Sequence, residues 1–352
     1  MNVLFINWKD ITHPEAGGAE VYTHEICKRL VKQGNEVTLF TSRYKGALKE
    51  EEIDGIKIVR DGGRIGVYLK VKKFYRANRD FDVVVDEVNT RPFMTVDFVK
   101  IPKVCLIHQL AREYWFYKTP FPLNYIGRYL LEDRWLRKYQ NIKTITVSPS
   151  TKNDLMELGF RDVEIVYNGI GVEPLKRIPS KEDDFTVLFI GRLSPTKKPL
   201  DAIEAFKLAG VGKMWVIGRG NLEEKLKKRS PSNVTFFGYV SEEKKYELMR
   251  RAHVLLVPGV REGWGRVVIE ANAMGTPAIG YDIPGLRDSI CDGKTGLLCD
   301  PNPKAMAENI KMLYEDEGLR KRLSKNALKW SKNFSWDKSA KRFYEILKEV
   351  AG

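Results

Sequence analysis

The chain has 352 residues, 43% hydrophobic and 30% charged, with a formal net charge of +14. That length carries two domains with cores of their own, and the apolar content excludes extensive disorder. No apolar run reaches the roughly 20 residues of a membrane span, and the N-terminus enters a strand instead of a signal peptide.

Cys27, Cys105, Cys291 and Cys299 lack metal-ligand spacing and read as reduced thiols of a cytoplasmic protein. Glutamine occurs only at positions 33, 109 and 140, while Lys and Glu abound, a bias of thermophilic proteins. That bias weakens the positive charge as a pointer to nucleic acid, for which no motif is present.

In chain order, Asn2–Asn7 predicts a strand and Ala19–Gln33 a helix ended by Gly34. The loop between them contains Gly17-Gly18. Strand, glycine loop and helix follow the order of a dinucleotide-binding fold, although Gly-x-Gly-x-x-Gly is absent. Strand-like runs follow at Glu36–Thr41, Ile56–Arg60, Val83–Val88, Val104–His108 and Thr144–Val147. Helical stretches separate most of them, so the first half reads as alternating β and α around a parallel sheet.

Arg64 to Arg79 holds six basic residues and no acidic one. It reads as a solvated helix face, with anionic lipid or a phosphorylated acceptor as the second reading. Asp80-Phe81-Asp82 invites a metal, but it precedes a strand and marks the strand entry instead. His108 ends a strand, where ligands gather in open α/β sheets. Arg112 to Tyr139 interleaves aromatics with Arg128, Arg134, Arg137 and Lys138. It reads as a helix packed into the core, with an acceptor groove or a membrane interface as alternatives.

Val163–Val166 closes the first half, followed by Tyr167-Asn168-Gly169-Ile170, and the polar run Lys176 to Asp184 reads as a linker. The same grammar then restarts. Val187–Ile190 is a strand, and the loop from Gly191 to Pro199 offers Arg192 and Lys197, a planar fork and a point charge suited to two adjoining phosphates. Met214–Ile217 and Val234–Phe237 are further strands, and Ser241 caps a helix that opens with Glu242 and Glu243.

His253–Val257 leads through Pro258-Gly259 into the stretch around which the half is organised, Arg261 to Pro277. Gly263 and Gly265 let backbone approach a ligand closely. From Gly265 the pattern is helical, and the first amides of that helix suit a diphosphate. Glu262 and Glu270 can each accept a pair of hydrogen bonds from vicinal hydroxyls, as on a ribose or a hexose. On the residues alone, the stretch is equally a strand–loop–helix joint with two solvated glutamates. Ala278–Tyr281 is a strand, Asp292 to Gly296 a turn, and helices run from Lys304 to the end with a break near Asn333-Phe334-Ser335.

Glu262 and Glu270, followed by Ala271, Ala273, Gly275 and Pro277, resemble the Glu-x7-Glu signature of glycosyltransferase family 4. Its members are retaining, nucleotide-sugar-dependent enzymes of the GT-B fold. The family usually has Phe where this chain has Trp264, which keeps an aromatic wall. The resemblance implies that Glu262 meets the donor sugar and Glu270 the ribose hydroxyls, with Arg192 and Lys197 on the diphosphate. It also implies that the Gly17-Gly18 amides meet the donor phosphate and that His108 lies near the sugar. Backbone near Gly238, Tyr239 and Val240 would read the base, and Gly263, Trp264, Gly265 and Arg266 complete the donor contacts.

The expected architecture is α/β: two Rossmann-like domains with parallel sheets facing a central cleft. Residues 1–168 form the acceptor side, 169–335 the donor side, and 336–352 cross back. The expected reaction moves a sugar from a nucleoside-diphosphate sugar to a hydroxyl of a small-molecule, glycan or lipid-linked acceptor. It uses no metal and no cofactor, in the cytoplasm, with peripheral contact at the inner membrane face left open. The rivals are a nucleotide-sugar epimerase of the same architecture and a non-catalytic basic binding protein. The intact pair of glutamates argues against the second.

Overall fold

Runs of Val, Ile and Leu too short for helices, each followed by a helical stretch, bury on both faces and stack side by side as parallel sheets. The computed structural model describes residues 1–352 and divides into two units, Met1–Gly169 with Ser335–Gly352, and Ile170–Phe334.

In the first unit the strands are β1 (Asn2–Ile6), β2 (Glu36–Thr41), β3 (Glu50–Ile53), β4 (Ile56–Arg60), β5 (Val83–Glu87), β6 (Lys103–Ile107), β7 (Thr144–Thr146) and β8 (Val163–Ile165). They form one sheet in the order β3-β4-β2-β1-β5-β6-β7-β8. Val3 of β1 pairs with Val37 on one side and Val83 on the other. Leu4, Ile6, Phe40 and Val84 pack against Val67, Val71 and Tyr75 of the helix Val67–Ala77. The terminal helix Trp336–Ala351 belongs to this unit. Its Phe343 stacks on Phe5 at 5.8 Å, and Ser339 donates to the Tyr167 carbonyl at 2.7 Å. A Cβ on Gly169 would lie 2.3 Å from the Trp336 nitrogen, so that approach requires glycine.

The second unit holds β9 (Thr186–Ile190), β10 (Lys213–Ile217), β11 (Val234–Gly238), β12 (Val254–Val257), β13 (Ala278–Tyr281) and β14 (Gly296–Cys299). Their order is β11-β10-β9-β12-β13-β14, and every pairing is parallel. Strand order reverses between β9 and β12, the position in an open α/β sheet where ligands gather at the carboxyl ends of the strands.

Three segments differ from the sequence reading. The acidic run Glu50–Ile53 is an edge strand, antiparallel to β4, whose alternating exposure and charge suit an unprotected sheet edge. Gly296 is the first residue of β14 and not merely the end of a turn. A Cβ there would sit 2.2 Å from the Ala278 carbonyl oxygen, so a glycine that reads as a turn residue serves close strand approach.

The stretch Arg112–Tyr139 is not one core helix. It is broken into Tyr114–Lys118, Leu123–Ile126, a π turn over Gly127–Leu131, and Glu132–Arg137. Pro120 and Pro122 interrupt it because proline removes a donor and restricts the residue before it. Most of its aromatic rings remain exposed.

Candidate functional site

The loops that leave β9 and β12 come from neighbouring strands, so the fold brings Gly191–Lys198 and Pro258–Gly265 together. Val260 donates its amide to the Thr196 carbonyl at 3.0 Å. Lys197 Nζ donates to Glu262 Oε1 at 2.5 Å, with Glu262 nearly buried. The loop after β10 seals the other side of Gly191–Leu193. Leu193 donates its amide to the Arg219 carbonyl at 2.9 Å, and a Cβ on Gly218 would lie 1.9 Å from the Gly191 oxygen. Arg192 sits exposed at the tip of this packed backbone.

Gly238 closes β11 with φ of +66°, its amide carbonyl accepting from the Gly218 amide at 2.8 Å, and Tyr239 beyond it is 78% exposed. Thus Gly191–Leu193, Gly218–Gly220 and Gly238–Val240 line one edge of carboxyl strand ends.

Glycine at 265 is dictated by conformation. Its φ is +81°, and a Cβ would lie 2.8 Å from Leu286 Cδ2. This left-handed residue turns the chain into the helix Arg266–Ala273. The Glu262–Gly263 backbone is buttressed by Gly285, where a Cβ would lie 2.1 Å from the Glu262 carbonyl oxygen. Trp264 is buried and meets Phe334 edge-on, ring centroids 5.1 Å apart, while Phe334 likewise meets Trp330 at 5.0 Å.

Glu270, one helical turn past Arg266, is buried. Its Oε2 lies 3.1 Å from Lys245 Nζ and its Oε1 3.5 Å from Arg266 Nη1. Lys245 also donates to both carboxylate oxygens of Glu242, at 2.9 and 2.7 Å. Partial burial pushes the Glu242 carboxyl up, but the Lys245 ammonium outweighs it and holds the group below its ordinary range. Burial, then the negative charge of Glu270 and Glu242, pushes the Tyr246 hydroxyl well up.

In the first unit, His108 follows β6 and Gly17-Gly18 open the helix Gly18–Lys32. His108 Nε2 lies 3.2 Å from Glu87 Oε1, and the Tyr22 ring meets the imidazole edge-on at 5.0 Å. Glu87 is fully buried and also accepts from Thr23 Oγ1 at 2.5 Å. The Gly17 amide is already used: it donates to Glu20 Oε2 at 2.6 Å, and Glu20 Oε1 pairs with Lys9 at 3.1 Å. A Cβ on Gly18, by contrast, would meet nothing within 4 Å. Asp82 accepts the Asn2 amide at 2.7 Å and the Asp80 carbonyl accepts from the Asn2 side chain at 2.8 Å, so this pair ties β1 to the entry of β5.

Sequence reasoning missed Lys245, Glu87 and Gly285. Lys245 had a signal: it lies three and four residues before Leu248 and Met249, on the buried stripe of its helix. Glu87 ends a wholly buried strand, after three valines and Asp86, where a carboxylate requires partners. Gly285 had none, because its constraint comes from a distant backbone.

Residues 173–330 match the family described as glycosyl transferases group 1, and residues 16–173 the one described as glycosyltransferase family 4. The chain belongs to the family 4, group 1 glycosyltransferases. An uncharacterized glycosyltransferase of Methanocaldococcus jannaschii is 32% identical over 233 residues, 63% of this chain and 64% of that protein. Sucrose-phosphate synthase from Thermosynechococcus elongatus shares the fold with a TM-score of 0.83 at 19% identity, over 99% of this glycosyltransferase and 98% of the other chain. The Anabaena protein HepE in complex with UDP-glucose shares it with a TM-score of 0.75 at 18% identity, over 99% and 100%. Two α/β units built on parallel sheets are the GT-B architecture of these proteins.

Proposed function

We propose that this glycosyltransferase moves a sugar from a nucleoside-diphosphate sugar to an acceptor hydroxyl, with retention of anomeric configuration. The observation that carries the reading is the convergence of Lys197, Glu262 and the helix bearing Glu270 at the strand-order reversal of the second unit. A fold relative binds UDP-glucose, which suits the same donor class.

In the proposed reaction the bond between the anomeric carbon and the diphosphate oxygen breaks, and its electron pair stays on that oxygen. Arg192, Lys197 and the amides that open the helix at Arg266 stabilise the charge that develops there, the role a divalent metal plays elsewhere. The acceptor oxygen bonds to the anomeric carbon on the face the diphosphate leaves, and the acceptor proton passes to the departing phosphate. Glu262 orients the sugar, Glu270 holds the ribose diol, and His108 keeps the role that the resemblance assigns to it. Incubating the protein with labelled UDP-, GDP- and ADP-sugars and candidate acceptors, then reading the product anomer by proton NMR, tests this. Inverted product, or release of free sugar with no acceptor dependence under every condition, would overturn it.

The first unit supports an anionic, lipid-linked acceptor as a finer reading. Phe121, Leu130 and Tyr129 are 79%, 65% and 62% exposed, and Ile65 and Leu69 are 75% and 77% exposed beside the basic run. Arg91 lies over Tyr68 at 4.7 Å and over Trp135 at 5.8 Å, so one guanidinium touches both segments. Aromatic and aliphatic side chains framed by Lys and Arg suit the interface of an anionic bilayer.

A further inference from the structure

Glu270 is held from two sides, and the less obvious holder is Lys245. Arg266 lies on the same helix, four residues earlier, a routine neighbour at 3.5 Å. Lys245 comes from a different helix, Glu242–Arg251, and reaches Glu270 Oε2 at 3.1 Å with its ammonium nearly buried. The same ammonium is anchored by both oxygens of Glu242, whose own side chain is 72% exposed.

A buried lysine is costly unless its charge is met by hydrogen-bonding partners, and two carboxylates meet it here. If helix packing were all that this position did, an aliphatic residue on the stripe of Leu248 and Met249 would serve without that cost.

We infer that Lys245 is a positioning residue for donor ribose: it fixes the carboxylate of Glu270 so that its free lone pairs face the vicinal hydroxyls. This rests on the assignment of Glu270 to ribose. A carboxylate has about four acceptor directions, and the Lys245 ammonium sits against Oε2 as an ion pair. With Arg266 near Oε1, each oxygen has a cation beside it, and a diol that donates two hydrogen bonds meets a carboxylate already held in place. Glu242 acts one step further out by holding the ammonium from which Glu270 is oriented.

The consequence is selective. Loss of Lys245 weakens the ribose contact and leaves the diphosphate contacts of Arg192 and Lys197 alone. The test is calorimetric titration of UDP, GDP and ADP, each with its 2′-deoxy counterpart, into the wild type, Lys245→Met, Lys245→Arg and Glu270→Gln. Wild type binds its preferred ribonucleotide about tenfold more tightly than the deoxy form, the scale of one hydrogen bond to a charged group. Lys245→Met loses most of that preference by weakening ribonucleotide binding with deoxy binding changed less than about twofold, and Lys245→Arg restores it.

If Lys245→Met weakens both forms equally, the residue is structural and the inference is wrong. It is also wrong if Lys245→Met keeps the preference while Glu270→Gln loses it, although the ribose assignment then stands. A wild type with no preference at all removes both.

Discussion

At the scale of residues, Lys197 donates to Glu262 at 2.5 Å, and under the proposed function the same lysine is shared between that carboxylate and a donor phosphate. Arg192→Ala and Lys197→Ala should each reduce turnover by at least about tenfold, since each removes a charge-assisted contact worth roughly 1.5–3 kcal/mol. Steady-state kinetics with the preferred donor checks this, and near-normal turnover in both would make the loop structural.

Gly285→Ala is a sharper probe, because its Cβ would collide with the Glu262 carbonyl and the Gly263 backbone. We expect turnover to fall while the fold persists, read by kinetics beside circular dichroism. The sequence displays Glu262, Glu270, Arg192 and Lys197 because their chemistry belongs to the side chains themselves. It does not display Gly285 or the Glu87 partner of His108, whose meaning comes from a residue far along the chain.

At the scale of elements, β12 is pinned at its start by an imidazole. His253 Nδ1 accepts the Thr186 amide at 3.0 Å, an arrangement available only to the neutral ring. Burial, reinforced by the nearby Lys181 and Arg320 cations, lowers His253 from the ordinary 6.5 to about 4. The unfolded chain therefore takes up this proton first, and stability falls as pH drops from about 6.5 toward about 4. Urea denaturation across that window should show a smaller slope for His253→Gln than for wild type. Identical slopes would mean that the ring is not held neutral.

Lys181, in the linker, is a second base held down by burial. Burial lowers its ammonium to about 7 although it donates to Thr276 Oγ1 at 2.7 Å. Strand positions were legible because apolar runs and glycine stops are local signals. The broken stretch Arg112–Tyr139 was misread, since its aromatic density suggested a core face while Pro120 and Pro122 decided its shape.

At the scale of the molecule, the basic run from Arg64 to Arg79, with no acidic residue in it, lies in the first unit. Neutralising Lys70, Lys72, Lys73 and Arg76 together should reduce co-sedimentation with anionic vesicles, and salt should weaken wild-type binding, because charge is screened over about 8–10 Å near physiological strength. The shift in melting temperature that a donor induces should be unaffected. Equal, salt-independent partitioning into neutral and anionic vesicles would remove the lipid reading and leave the transferase reading intact.

The two-unit architecture was legible from a strand–helix grammar that restarts after Lys176–Asp184. The choice of base and sugar was not legible, because the backbone groups expected near Gly238–Val240 leave no side-chain trace. The most direct test of the whole account is calorimetric titration of UDP-, GDP- and ADP-sugars into wild type and the Arg192→Ala, Lys197→Ala and Glu270→Gln variants. The account predicts saturable binding of at least one sugar nucleotide at one site per chain, weakened about tenfold or more in each variant. Equal affinity in wild type and all three variants, or no binding of any sugar nucleotide, would contradict it.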